Sequence, residues 1–130
     1  MKNLNHYIVD IGELLLQSDK LCLYEWDLFS IVYDIADGHT ADSGFLYIGN
    51  EVIPVTSRNS NDKRSLPNKI REFRDAMAEQ TGKKFKQLLI QMERETGRIK
   101  IDFDFDKGNK WTIVPSRLKE MREELRPKFD

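Results

Sequence analysis

A stretch near the C-terminal end of the chain alternates apolar and charged residues with a period of two. Its apolar members are Ile99, Ile101, Phe103 and Phe105, and its charged members are Lys100, Asp102, Asp104 and Asp106. Successive side chains of a β-strand point to opposite faces of a sheet. The pattern therefore predicts a strand with one face in a core and the other on a polar surface that carries three carboxylates.

The strand before it, which ends at Glu93, predicts a hairpin whose register can be tested. The two strands share an apolar face if Met92 lies opposite Ile99. That register leaves Arg94 to Gly97 as a four-residue turn with glycine in its last position. It also places Glu93 opposite Arg98, which is a favourable cross-strand charge pair. These observations together predict an antiparallel hairpin.

Periodicity and turn residues predict six further elements. They are a helix over about 3–17, strands over about 28–35, 45–48 and 52–55, a helix that Ser65 caps and Gly82 closes, and a last helix from Pro115. Asp37 and Gly38 break the first of these strands, the segment 38–43 is predicted to be a polar loop, and Pro54 is typical of an edge strand. The order α-β-β-β-α-β-β-α predicts one α+β domain over residues 1–130, with a single antiparallel sheet of about five strands packed with three helices and covered on one face.

Composition limits the classes of function that the chain can have. The 130 residues include 21 basic and 22 acidic ones, and the net charge of −1 gives no general attraction to nucleic acid. Cys22 is the only cysteine, which excludes an internal disulfide and fits a reducing compartment. We expect its thiol to be a small buried apolar group. The N-terminal stretch does not resemble a signal peptide, and no apolar run approaches the roughly 20 residues that span a membrane. We expect a soluble, cytoplasmic protein.

Familiar catalytic and metal-binding patterns are missing from the sequence. Zinc sites use three or four Cys, His or carboxylate ligands, and here Cys22, His6 and His39 have no ligand spacing to one another. Nucleophile and phosphate-loop motifs are also absent. We therefore expect neither a cofactor nor a metal. Trp26 and Trp111 are either interface anchors or core residues, and we favour the core for Trp111.

The acidic strand face allows three interpretations. Asp102, Asp104 and Asp106 are spaced about 6.5–7 Å apart along one face, which is long for sharing one Mg²⁺ with oxygen ligands at about 2.1 Å. The face is either a simple solvated surface, a metal-dependent nuclease or hydrolase site, or a surface that binds a basic partner together with Glu93 and Glu95. Acidic surfaces complement the basic surfaces by which nucleic-acid enzymes neutralise phosphates.

The layout of the chain resembles the YezG-like family of immunity proteins from bacterial polymorphic-toxin and contact-dependent growth inhibition systems. The likeness rests on the strand Ile99-Lys100-Ile101-Asp102-Phe103-Asp104-Phe105, on Trp111 and Pro115, on the closing charged helix and on the earlier hairpin over 47–55. The likeness covers most of the chain in layout and the last third in residues.

This resemblance implies an α+β inhibitor that binds one cognate toxin domain, usually a nuclease, in the same cytoplasm. It implies stoichiometric inhibition without catalytic residues. The toxin-binding surface varies within the family, so the candidate contacts remain those that the residues themselves suggest: Asp102, Asp104, Asp106, Glu93 and Glu95. The nearly neutral net charge departs from the immunity proteins that mimic nucleic acid, and it favours a local patch or an exosite. A generic protein-binding adaptor and a small metal-dependent hydrolase remain the alternatives.

Overall fold

A computed structural model describes residues 4–36 and 39–129 of the chain. The elements are α1 (Asn5–Leu16), α2 (Asp19–Leu23), β1 (Leu28–Ala36), β2 (His39–Ile48), β3 (Glu51–Val55), α3 (Ser65–Thr81), β4 (Gln87–Glu93), β5 (Ile99–Asp104), a 3₁₀ turn (Pro115–Arg117) and α4 (Leu118–Glu124). The α+β class and the order of the predicted elements are confirmed, and α2 is an additional helix of little more than one turn. Asn3, Asp37 and Gly38, which were predicted to begin the first helix and to break the first strand, lie outside the described residues.

The five strands form one antiparallel sheet in the order β3-β2-β1-β4-β5. The predicted hairpin register is confirmed, since Met92 pairs with Ile99. Arg98 and Glu93 form the expected ion pair, with Arg98 Nη2 3.0 Å from Glu93 Oε1. Gly97 adopts a φ of 72°, a left-handed conformation that favours glycine and closes the turn. Pro54 lies in the edge strand β3, as predicted.

Two local predictions were wrong. The segment predicted as a polar loop over 38–43 is strand from His39 onward, because it pairs along the full length of β1. This pairing overrides the weak strand propensity of its polar residues. Ser65 does not cap α3 with its side chain. Ser65 is instead the first residue of the helix, and Oδ1 of Asp62, three residues earlier, accepts its backbone N–H at 3.0 Å.

The main core lies between the sheet and the helices α1 and α3. We call this side of the sheet the helix face. Its strand residues include Phe29, Ile31, Tyr33, Ile35, Leu88 and Ile90, and its helix residues include Ile11, Leu15, Ile70 and Phe73. The helix α1 approaches β5 closely at Gly12, where an added Cβ would lie 3.0 Å from Ile99 Cδ1.

The opposite side of the sheet, which we call the C-terminal face, carries a second buried cluster. Its members are Val32, Phe45, Tyr47, Leu89, Met121 and Leu125, with Trp111 and Ile113 packed at the margin. The expectation that helices cover only one face of the sheet is therefore wrong. Burial of apolar side chains of α4 against this face stabilises the packing of the C-terminal segment on the sheet.

Polar side chains of the C-terminal face bind the end of α4. The Tyr47 hydroxyl donates a hydrogen bond of 2.7 Å to the carbonyl of Arg122. The Ser30 hydroxyl and Gln91 Nε2 both donate to the carbonyl of Leu125, the latter at 3.0 Å. Carbonyl groups at a helix C-terminus have no partner within the helix. Side chains of the sheet supply those partners here, so Tyr47, Ser30 and Gln91 help to hold the end of α4 against the sheet.

Candidate functional site

The predicted acidic residues lie at both ends of β5. Asp104 is the last residue of this strand, and its side chain is buried, with 7% of the residue exposed. Its Oδ1 accepts the N–H of Asp106 at 2.8 Å. Its Oδ2 accepts the N–H groups of Asn109 and Lys110, each at 3.1 Å. Asp104 therefore organises the turn after β5, and the expectation that its carboxylate is exposed is wrong.

The pKa of Asp104 reflects two opposing influences. Burial disfavours the charged carboxylate and raises its pKa. The backbone N–H groups of Asp106, Lys110, Gly108 and Asn109 together outweigh burial and bring the pKa below its ordinary value. The carboxylate is ionised at neutral pH and is already bonded to the protein, so it is poorly suited to hold a metal or activate water.

The other two aspartates of the strand have different surroundings. Asp102 is half-buried on the C-terminal face, where it lies opposite Leu89. Asp106 is exposed beyond the end of the strand, and the cleft beside it includes the basic residues Lys83, Lys107 and Lys110. Three lysines share this cleft with Asp106, and the three aspartates do not form one continuous acidic surface.

Glu93 and Glu95 lie near the other end of β5, Glu93 as the last residue of β4 and Glu95 in the turn of the β4–β5 hairpin. The carboxylate of Glu93 accepts hydrogen bonds from the Thr96 hydroxyl at 2.6 Å and from Arg98 Nη2 at 3.0 Å. The hydrogen bonds from Thr96 and Arg98 lower the pKa of Glu93 below its usual range. Glu95 is exposed at the tip of the turn. This pair is about 17 Å or more from Asp104, judged by the rise of about 3.3 Å per residue along β5.

The loop between α2 and β1 meets this hairpin turn. The backbone N–H of Arg94 donates to the carbonyl of Asp27 at 3.0 Å. Asp27 Oδ2 accepts the N–H of Gly49, in the β2–β3 turn, at 2.7 Å. The guanidinium of Arg94 lies over the ring of Trp26, 5.4 Å from its centroid. Three chain segments are therefore linked at one end of the sheet.

An open cleft of about 500 Å³ lies where these segments meet. Its lining residues are Trp26, Asp27, Leu28, Glu93, Arg94 and Glu95. Exposed Glu25 adjoins them in sequence. We call the cleft and Glu25 together the hairpin-end surface. It combines four carboxylates with the guanidinium of Arg94, which lies over the buried Trp26 ring, and with that of Arg98, which pairs with Glu93.

The sequence reasoning identified Glu93 and Glu95 but did not connect them with Glu25 and Asp27. The connection depends on the pairing of β1 with β4, which places Leu28 opposite Glu93. Nothing in the local sequence specifies that long-range pairing. Trp26 itself is buried, with 3% exposed, and its Nε1 donates to the carbonyl of Leu21 at 3.2 Å. It is a core residue whose ring also supports Arg94.

A second polar network fixes the segment that follows β5. Gln87 is fully buried, and its Nε2 donates to Asp34 Oδ1 at 2.7 Å. Its Oε1 accepts the N–H of Trp111 at 2.8 Å. Burial raises the pKa of Asp34, while the bond from Gln87 partly opposes that rise and the nearby Asp42 carboxylate adds to it. Trp111 is half-buried against the second cluster, as the sequence suggested.

Another cleft lies between α1, the start of α3 and the loop over 56–64. It has a volume of about 190 Å³, and its lining includes Tyr33, Asp42, Arg58 and Asp62. Burial raises the pKa of the Tyr33 phenol, and the Asp42 carboxylate accepts the N–H of Ser57. The hydrogen bond to Asp42 helps to hold the loop in place.

Metal-ligating residues are scattered within the described part of the chain. No group of three or more His, Cys, Asp or Glu side chains there is arranged to hold a metal ion. Cys22 was predicted to be buried and is exposed, since it lies on the outer side of α2 with its Sγ donating to the carbonyl of Leu16 at 3.2 Å. His6 and His39 are exposed on separate elements.

Within residues 4–36 and 39–129, no helix is both long and apolar enough to cross a lipid bilayer. No model of a known protein family matches this chain, and no curated protein matches it in sequence.

Proposed function

We propose that this protein is an immunity protein that binds a cognate bacterial toxin domain of the nuclease class and neutralises it stoichiometrically without catalysis. The observation that carries the proposal is the hairpin-end surface, where Glu25, Asp27, Glu93 and Glu95 come from two segments that are distant in sequence. An acidic surface of this kind suits a basic partner, because nucleases carry positive charge to neutralise phosphates. The resemblance of the layout to YezG-like immunity proteins supports the same class.

Two of the four carboxylates of the hairpin-end surface are held by hydrogen bonds. Gly49 fixes the carboxylate of Asp27, and Arg98 with Thr96 fixes that of Glu93. A surface that is ordered before binding loses less conformational entropy when the partner arrives. Charged groups at an interface margin mainly raise the association rate and the specificity. Both properties suit an inhibitor that must find its toxin quickly.

Asp102 and Asp106 remain candidate contacts, but they do not adjoin the hairpin-end surface. Asp104 is withdrawn as a candidate contact, because its carboxylate is buried and bonded to its own turn. The surface that we propose for the partner is therefore smaller than the full strand face that the alternation suggested. We place the protein in the cytoplasm, where a cognate toxin would have to be neutralised.

The alternative of a metal-dependent hydrolase relied on Asp102, Asp104 and Asp106 acting together. The turn after β5 occupies both oxygens of Asp104, which leaves the hydrolase without its central carboxylate. A generic adaptor would differ from an immunity protein in its partners, with several of modest affinity in place of one tight one.

Capture of the tagged full-length chain from its native host tests the proposal. After a high-salt wash, we expect one partner at a one-to-one ratio that inhibits growth when it is expressed alone. Several loosely held partners would favour the adaptor. The absence of any retained partner, together with a rise in melting temperature on addition of magnesium or manganese, would contradict the proposal and favour the hydrolase.

Paired charge reversals locate the binding surface on the captured partner. Glu25→Lys combined with Glu95→Lys should weaken binding mainly by slowing association. The matched control combines Glu13→Lys on α1 with Glu79→Lys on α3, so that the net charge changes equally. All four side chains are exposed. Equal loss of affinity in both variants would show a general charge effect and would remove the hairpin-end surface from the proposal.

A further inference from the structure

The strand β5 is at the edge of the sheet and pairs with β4 on one side only. The N–H of Glu93 donates to the carbonyl of Arg98 at 3.0 Å. Hydrogen-bonded and non-bonded pairs alternate along an antiparallel ladder, so Gln91 with Lys100 and Leu89 with Asp102 are bonded pairs.

It follows that the backbone groups of Ile99, Ile101 and Phe103 point away from β4. Among the described residues, no strand pairs with this outer edge. Their side chains lie on the helix face and are half-buried. An unpaired edge with apolar side chains is a template for pairing with another strand.

We propose that two copies of this chain pair through their β5 strands, antiparallel and around a two-fold axis at Ile101. In this register Ile101 lies opposite its own equivalent, and Ile99 lies opposite Phe103 of the second copy. The outward N–H and C=O groups of these residues then become hydrogen-bonded pairs. The two five-stranded sheets join into one continuous sheet, and neither β5 edge is left open.

Charge complementarity favours this register and favours a second copy of the chain as the partner. Centring the axis on Ile101 places Lys100 opposite Asp102 of the second copy, and symmetry repeats the pair. Both side chains lie on the C-terminal face, and non-bonded pairs bring opposing side chains closest together. Moving the axis to Lys100 or to Asp102 would set like charges directly opposite each other. Moving it to Phe103 would set Asp102 opposite Asp104.

The apolar face agrees with the same register. Ile99, Ile101 and Phe103 are all only partly covered in the single chain. Pairing around Ile101 brings all three against apolar side chains of the second copy and removes their edges from water. In this register, apolar residues face apolar residues and opposite charges face each other. The segment is therefore complementary to itself over Ile99-Lys100-Ile101-Asp102-Phe103. This inference concerns a surface separate from the hairpin-end surface, and either can fail alone.

Sedimentation velocity of the full-length chain over a concentration series tests the inference. We expect a reversible monomer–dimer equilibrium for the natural sequence. Lys100→Asp and Asp102→Lys, each alone, should weaken the dimer about tenfold or more, because both symmetric pairs become like-charged. Lys100 is exposed, so its substitution should leave the monomer folded.

Two further measurements separate charge pairing from loss of folding. The double variant with Lys100→Asp and Asp102→Lys restores opposite charges and should dimerise like the natural sequence. A mixture of the two single variants should form a heterodimer, although each alone is mainly monomeric. A monomeric natural sequence at every concentration would overturn the proposal and leave the edge for a strand of another protein. Unchanged dimerisation of both single variants would overturn the register.

Discussion

The hydroxyl of Tyr47 donates a 2.7 Å hydrogen bond to the carbonyl of Arg122, which lies 75 residues later in the chain. The guanidinium of Arg126 lies over the same ring, 4.6 Å from its centroid. One aromatic side chain of β2 thus anchors the end of the last helix through its hydroxyl and its ring face. This relationship explains why a sheet face with many polar residues is part of the core.

The apolar contacts of α4 on the C-terminal face should contribute strongly to stability. Met121 is 1% exposed, whereas Leu118, one turn earlier, is 38% exposed. We expect Met121→Ala to lower the free energy of unfolding by about 2–4 kcal/mol, because it leaves a cavity above Phe45 and Leu89. Leu118→Ala should cost well under half of that. Urea denaturation of both variants checks the difference, and equal costs would show that α4 is not docked as described.

Glycines at two close approaches should respond differently to alanine. At Gly44 in β2, an added Cβ would lie 2.1 Å from the carbonyl oxygen of Ser30, which is backbone and cannot move aside. We expect Gly44→Ala to destabilise the sheet severely. At Gly12, the nearest atom is the flexible end of Ile99, so Gly12→Ala should be close to neutral, with the helix propensity of alanine offsetting the contact. Thermal melts of both variants test this contrast, and a benign Gly44→Ala would contradict the β1–β2 register.

The turn after β5 should depend on the carboxylate of Asp104. In Asp104→Asn, an amide NH₂ replaces one of the two oxygens that accept backbone N–H groups. We expect a loss of about 2 kcal/mol in the free energy of unfolding, in line with hydrogen bonds to a charged group. Asp106→Asn, on an exposed neighbour, should change stability by less than about 0.5 kcal/mol. Similar small effects in both variants would mean that Asp104 is exposed after all.

Two aspartates of the C-terminal face should give opposite dependences of stability on pH. Folding lowers the pKa of Asp104. The contribution of this carboxylate to the free energy of unfolding is therefore complete above its pKa in the unfolded chain, about 4, and is lost as pH falls through its pKa in the folded protein. The pKa of Asp34 is raised by burial, so the folded protein takes up this proton first. Its effect on stability therefore becomes more favourable as pH falls through the raised value.

Comparison of each asparagine variant with the natural sequence isolates these contributions. Asp34→Asn keeps the oxygen that accepts the bond from Gln87 and removes the buried charge, so it should be at least as stable as the natural sequence at neutral pH. The stability advantage of Asp34→Asn over the natural sequence should shrink as pH falls. The stability deficit of Asp104→Asn should shrink over the same change in pH. Urea titrations from neutral to acidic pH measure both trends. A neutral-pH deficit for Asp34→Asn would contradict the stated role of burial.

Local pattern was enough to predict the hairpin and its ion pair. The register of β4 and β5 follows from two alternating strands and a four-residue turn, and it alone places Glu93 opposite Arg98. The same reasoning placed Pro54 on an edge strand, because proline cannot donate to a neighbouring strand. These features depend on residues that are close in sequence.

Contacts between distant segments could not be predicted in the same way. Ser30, Gln87, Gln91 and Asp104 are polar, so the alternation assigned their face to solvent, yet each is buried and hydrogen-bonded. Gln91 and Ser30 both donate to the carbonyl of Leu125, which directly follows α4, and the pattern of these strands does not specify where that segment packs. In the sequence, the apolar residues Val32 and Leu89 on the same face were the features that could have predicted a second buried cluster. Pairing of β1 with β4, which assembles the hairpin-end surface, is equally non-local.

Growth of cells that express the captured partner tests the central claim most directly. The account predicts that the partner alone stops growth, and that co-expression of this chain restores it once the two proteins are equimolar. It also predicts that the Glu25→Lys and Glu95→Lys double variant restores growth less well than the Glu13→Lys and Glu79→Lys control. A partner that is harmless alone, or whose toxicity this chain does not relieve at any ratio, would contradict the immunity function.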